Sequence, residues 1–403
     1  MTDTFAGTET ANDVPIEVAS TSTVTTSGNA MFGALTVTSG TVNLGSGNIQ
    51  IDSLTQTGGI LNSTSGVLTT VQGNISLTGG TYNHSNGKLV FNGYYNTLTA
   101  NGFTFYDLVL QNPLGASLSG NMNVAHNLFF DTPSAAINPF TGGNITMTGA
   151  AGSIIDVRNG AGNDFYSGIT INSPGTITLA SSGTSLSAIV IQAGTLDCGS
   201  GNLLINASLD VQGGTFKASS GTTYFYGNFN TMSMEAGTFN ANGGTFNLYA
   251  QNHPSISGAF VFNNLNFLGS GGVFGLNTGI TTVGTLTFNF TGGWSSNNLI
   301  TALGNVVNAS NATAPGYFPT LLFSGTAAQT YSGAAAFKND VSVNKASGVV
   351  TLSSNLTQNG NTTTVTSGTL DLGAASMRAQ RRCASGAKDL SDIRPPKTEG
   401  RYR

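Results

Sequence analysis

Seven residues, Asn159-Gly160-Ala161-Gly162-Asn163-Asp164-Phe165, have the pattern of an ion-binding turn. They follow the Gly-Gly-x-Gly-x-Asp spacing of a calcium-holding β-roll repeat, with Asn163 and Asp164 as oxygen donors. One such turn supplies only part of the oxygen shell that calcium takes, so the chemistry needs adjacent copies. This chain has one copy. A Gly-rich corner accounts for it, and no cofactor is expected.

Carbohydrate cleavage would need a pair of converging carboxylates as acid and base. Asp197 and Asp210 lie 13 residues apart, which does not fit the repeat described below. Asp197 and Asp371 occupy equivalent repeat positions and read as turn residues. His84, His126 and His253 have no metal-ligand spacing and no adjacent nucleophile, so surface or corner positions are expected. Trp294 follows Gly292-Gly293 and is either an exposed platform for a sugar ring or a residue packed on the body. Thr36-Val37-Thr38, Thr97-Leu98-Thr99 and Thr176-Ile177-Thr178 could order water on a flat face, but these copies do not fall in successive repeats. Asn-x-Ser/Thr sequons at Asn62, Asn74, Asn83 and Asn144 arise by chance in so Asn-, Ser- and Thr-rich a chain. No catalytic residue is expected.

These positions hang on a repeat. Gly-Thr, an apolar residue, then Asn or Asp recurs at Gly40-Thr41-Val42-Asn43, Gly80-Thr81-Tyr82-Asn83, Gly194-Thr195-Leu196-Asp197, Gly237-Thr238-Phe239-Asn240, Gly244-Thr245-Phe246-Asn247 and Gly368-Thr369-Leu370-Asp371. A second unit is Gly-Asn followed by alternating apolar residues, as in Gly47-Asn48-Ile49-Gln50-Ile51 and Gly73-Asn74-Ile75-Ser76-Leu77. Alternation with period two marks short strands with one buried face. Gly and Asn tolerate positive φ and punctuate the corners. Strands at a period of ~20 residues make a solenoid whose coils bury each other's apolar faces. Roughly 17 coils at ~4.8 Å each would form a rod of about 80 Å. In such a stack Asn43, Asn62 and Asn83 align and can hydrogen-bond along the rod. Phe216, Phe239 and Phe246 can join an apolar stack.

A longer module is superimposed. Residues 40–51 match residues 194–205 at seven of twelve positions, at an offset of 154. Phe105-Tyr106-Asp107-Leu108-Val109-Leu110 pairs with Phe262-Asn263-Asn264-Leu265-Asn266-Phe267, and Ile169-Thr170-Ile171-Asn172 with Val341-Ser342-Val343-Asn344. Modules therefore start at Gly40, Gly194 and Gly368. After Gly373 the expected Gly-Ser-Gly-Asn does not come, and the chain turns basic. An N-terminal segment or cap (1–27), a solenoid (28–373) and a basic, out-of-register or disordered tail (374–403) are expected. Interruption of the solenoid after Gly373 is the favoured reading of the tail; a native basic tail is the other.

Charge supports a body that does not bind nucleic acid. Residues 1–373 carry five basic and 14 acidic side chains, a net −9, and residues 374–403 carry eight and three, a net +5, which sum to −4. Phosphate contacts require Lys and Arg that this body lacks. Cys198 and Cys383 give no disulfide framework, and Cys198 stands at an apolar repeat position. No apolar run reaches the ~18 residues of a membrane span. Met1 to Ser20 lacks the apolar core of a secretory signal, so any export signal is expected to have been removed or to lie outside this sequence.

Residues 194–205, and residues 337–373 with their Val-Thr-Leu and Ser-Gly-Thr-Leu-Asp-Leu-Gly, resemble the repeats of bacterial autotransporter passengers and filamentous-haemagglutinin-like adhesins. The likeness spans about residues 28–373 and its motifs are degenerate. It implies an all-β, right-handed parallel β-helix outside the cell, a handedness that the general crossover rule also favours. The implied function is a non-enzymatic structural or adhesin-type stalk or surface layer at a bacterial cell surface. Its partners would be itself, by end-to-end or lateral association, and surface glycans or other cells. The competing expectations are a polysaccharide-processing enzyme and a phage tail-spike segment on the same fold, since fold alone does not choose.

Overall fold

The computed structural model of the protein describes residues 2–5, 14–111, 115–131, 140–150, 152–158, 168–228, 231–252, 254–309, 319–333, 340–358, 362–375 and 377–379. Among them every regular element is a β-strand, and strands pair in parallel with their counterparts one coil away. The result is a β-solenoid of about 15 coils roughly 20 residues apart. That is fewer coils than the ~17 expected from an even ~20-residue period. Some coils are longer: Leu108 pairs with Leu128, 20 residues on, but Leu128 pairs with Ile155, 27 residues on. At ~4.8 Å per coil the stack is about 70 Å tall.

A typical coil has three short strands, such as Thr81–Asn83, Lys88–Asn92 and Thr97–Ala100. Alternation sends every second side chain inward, and the parallel register puts those side chains directly above one another. Leu68, Leu89, Leu108, Leu128 and Ile155 form one buried column, and Phe91, Leu110, Phe130 and Val157 the next. One hydrophobic cluster runs from Val18 to Leu356. Trp294 belongs to it. Only 2% exposed, it packs edge-on against Phe267, Phe288 and Phe290 and tilted against Phe274. The exposed-platform reading of Trp294 is thereby set aside, because the short strand Gly293–Trp294 faces the interior.

The modules hold in three dimensions. Gly40, Gly194 and Gly368 all have positive φ, at 69°, 75° and 87°. A side chain would be strained there, and a methyl on Gly40 or Gly194 would also run into the carbonyl of Ser20 or Ser173. Cys198 is buried where Leu44 stands in the first module. The strands Gly168–Leu179 and Val341–Leu352 are equivalent and equally long. The parallel pairing reaches Thr2–Phe5 and Ile16–Val18 at one end and Met377–Ala379 at the other. Residues 380–403, with Cys383, lie outside the described residues.

Polar ladders fasten the coils. Asn62 Nδ2 donates to Asn43 Oδ1 at 2.6 Å, and Asn83 Nδ2 to Asn62 Oδ1 at 2.6 Å. Phe216 and Phe239 stack with centroids 6.0 Å apart, and Phe239 meets Phe246 edge-on. Corners use buried hydroxyls. Thr64, Ser173 and Ser219 each donate to a glycine carbonyl of the preceding coil and accept the N–H of the glycine two residues on. At the position of Ser173 the later strand carries Lys345, which is 1% exposed. Its ammonium donates to the Ala327 carbonyl at 2.8 Å and Gln329 Oε1 at 2.5 Å.

Candidate functional site

The strands Val67–Thr70, Lys88–Asn92, Asp107–Gln111, Leu128–Asp131 and Ser153–Arg158 lie side by side and form one flat outer face. Register aligns Val90, Val109, Phe129 and Asp156 in one outward row, and Asn92, Gln111 and Asp131 in the next. The Phe129 ring stands tall beside two short valines, and this step in side-chain size opens a groove. The groove measures about 160 Å³ and is lined by Lys88, Val90, Val109, Gln111, Phe129 and Asp131. Lys88 Nζ reaches to 5.4 Å from the Phe129 ring centroid, a cation–π distance. Gln111 Nε2 donates to Asp131 Oδ2 at 3.1 Å. The site therefore combines an apolar floor, an aromatic wall, a cation on one flank and an amide–carboxylate pair on the other.

A ring stack borders this face. Tyr106 lies between His84, at a centroid distance of 5.6 Å, and His126, at 4.6 Å. Asp107 Oδ1 sits 2.8 Å from His126 Nδ1 and accepts the backbone N–H of Asn127 at 3.0 Å. Partial burial holds the His84 imidazole below the usual histidine range. The stack fixes two imidazoles, and among the described residues no hydroxyl or thiol is hydrogen-bonded to either of them.

Further along the rod, Tyr224, Tyr226 and Tyr249 form a second outward cluster. Tyr226 and Tyr249 pair in register and stack at 4.5 Å, with Tyr224 at 6.4 and 6.5 Å from them. Desolvation raises the Tyr226 phenol, and the neighbouring phenols add to the effect. The stacked rings cover one another's faces.

Asn163 and Asp164 lie outside the described residues, as does His253. No group of three or more His, Cys, Asp or Glu side chains suited to a metal ion occurs among the described residues. No helix among them is long and apolar enough to cross a membrane. Asp197 pairs with Lys217 at 2.8 Å, and Asp210 accepts from Gln212 and Ser233, so neither faces the other as a catalytic partner would. In the Thr176-Ile177-Thr178 segment, Thr176 continues through Thr195, Thr215 and Thr238, but Thr178 is followed by Asp197 and Lys217. A two-column threonine face does not form along this segment.

Sequence reasoning missed Asp131 and Asp156. They are on adjacent coils of the groove face, offset by two residues, because Asp131 pairs with Arg158. The signal was masked by the 27-residue step from Asp131 to Arg158, which breaks the even period. Two residues of strand and one strand spacing put their α-carbons about 8 Å apart.

Neither a family model, nor a curated protein, nor a solved structure matches this chain.

Proposed function

We propose that the chain is a non-enzymatic repetitive shaft of adhesin type, serving outside a bacterial cell as a stalk or surface layer. The observation that supports this most is the continuous in-register stacking of core and asparagine columns from coil to coil. A body built this way gains length by adding modules, each needing only its neighbours. The uncharged Ser, Thr and Asn exterior offers hydrogen bonds to neutral surfaces. Antibody labelling of intact source cells, together with retention of protein-coated beads on glycan-coated surfaces, tests the reading. Surface labelling and retention are expected. Labelling only after lysis, or no retention, overturns it.

Self-association belongs to the same proposal. The strand Thr363–Asp371 pairs with Val341–Leu352 along one edge only, among the described residues, and Val365 is 46% exposed. Unpaired strand edges recruit further strands. Sedimentation should show concentration-dependent oligomers that Val365→Lys weakens.

One observation favours a second reading, a polysaccharide hydrolase. Asp131 and Asp156 stand on one outer face with α-carbons about 8 Å apart, near enough for their carboxyl groups to serve as an acid–base pair. Release of reducing ends from a polysaccharide, abolished by Asp131→Asn, would replace the adhesive reading with this one.

A further inference from the structure

We infer that the groove beside Phe129 is a binding site for one neutral pyranose unit of a glycan; the inference deepens the adhesive reading and rests on it. A pyranose has an apolar C–H face and a rim of hydroxyls that both donate and accept. The groove offers the matching surfaces. Val90 and Val109 form a floor, with Val109 only 6% exposed, and the Phe129 ring forms a wall. Lys88 can only donate, Asp131 as carboxylate can only accept, and the Gln111 amide does both. Opposite charges on the two flanks suit a ligand that is polar on both sides yet carries no net charge.

Charge also sets the class of sugar. Asp107 and Asp156 share the outer face with Asp131, and the body outside the tail carries a net −9. The strands of this face carry three acidic residues against two basic ones, Lys88 and Arg158, a balance that disfavours an acidic sugar. Lys88 is free to turn toward a hydroxyl. Lys217 is held by Asp197 and Lys345 is buried, whereas Lys88 makes no ion pair among the described residues and rests near the Phe129 ring. Its flexible stem allows the ammonium to swing from ring to ligand. At ~30 Å³ per water, a volume of about 160 Å³ holds roughly five waters, on the order of one sugar ring. The groove is built on strands rather than loops, which favours a preformed site.

The test is titration calorimetry and saturation-transfer NMR on the intact protein with neutral tetrasaccharides of glucose, mannose and galactose, and with tetragalacturonate. At least one neutral probe should bind and tetragalacturonate should not. Phe129→Ala should weaken binding by at least ~10-fold, the loss of about 1.4 kcal/mol. Asp131→Asn and Lys88→Met should weaken it less, and Val283→Ala, at an exposed position elsewhere on the rod, should leave it unchanged. Preference for tetragalacturonate, indifference to Phe129→Ala, or no binding by any probe overturns the site. Bead retention without saccharide binding removes the groove and leaves the adhesive reading standing. Saccharide binding in the groove without bead retention does the reverse.

Discussion

Asn62 sits between two asparagines, donating to Asn43 and accepting from Asn83. Its removal breaks both bonds, so Asn62→Ala should destabilise by about 1–3 kcal/mol, read as a lower midpoint in urea. Tyr331 gives a pH signature. It is 1% exposed, its hydroxyl accepts from Asn308 Nδ2 at 3.1 Å, and burial pushes the phenol up to about 12 from 10.0. A folded pKa raised above the unfolded one contributes stability that is whole below pH 10 and is lost as pH rises toward 12. At about 1.4 kcal/mol per unit, Tyr331 contributes roughly 3 kcal/mol to that alkaline loss. Tyr331→Phe should flatten the fall in melting temperature across this window; an unchanged slope would contradict the assignment. Lys345 has the opposite sign, since desolvation holds its ammonium below the usual lysine range. Gln329→Leu should therefore cost more stability at neutral pH, where Lys345 must be charged, than in alkali.

At the scale of elements, the corners decide the register. Gly194 combines positive φ with a carbonyl in the way of any side chain. Gly194→Ala should cost about 1–3 kcal/mol, measurable by chemical denaturation. The same substitution at Gly28, whose φ is ordinary and which has open space around it, should cost far less. The core columns carry the larger stakes. Leu108 is fully buried between Leu89 and Leu128, and Leu108→Ala should cost about 2–5 kcal/mol.

On the scale of the whole molecule, each coil touches mainly its neighbours, so unfolding should spread along the rod instead of switching at once. Trp294, the single tryptophan, reports only the coils around Phe267 to Phe290. Its fluorescence transition and the far-ultraviolet circular dichroism transition should not coincide in urea. Coincident curves would indicate one cooperative unit.

The alternation of apolar residues, the Gly-Thr and Gly-Asn corners and the module offset determined the solenoid, its coil period and its equivalent positions. Each of these is a local, periodic signal, and each coil can express it only by stacking on the next. The Asn43–Asn62–Asn83 ladder and the Phe216–Phe239 stack were legible for the same reason: they fall at equal places in similar repeats. Tertiary structure decided what the period hides. Turns of uneven length shifted the register after Leu128, and that shift brought Asp131 and Asp156 onto one face. The groove itself exists because a tall Phe129 follows short Val90 and Val109 in an outward row, a difference in size between residues about 20 apart that no alternation pattern records. Trp294 went inward because its brief strand faces the core, and Lys345 is tolerated inside because three acceptors from an earlier coil surround its ammonium. Such neighbours are set by coil-to-coil register, which emerges only when the chain is wound.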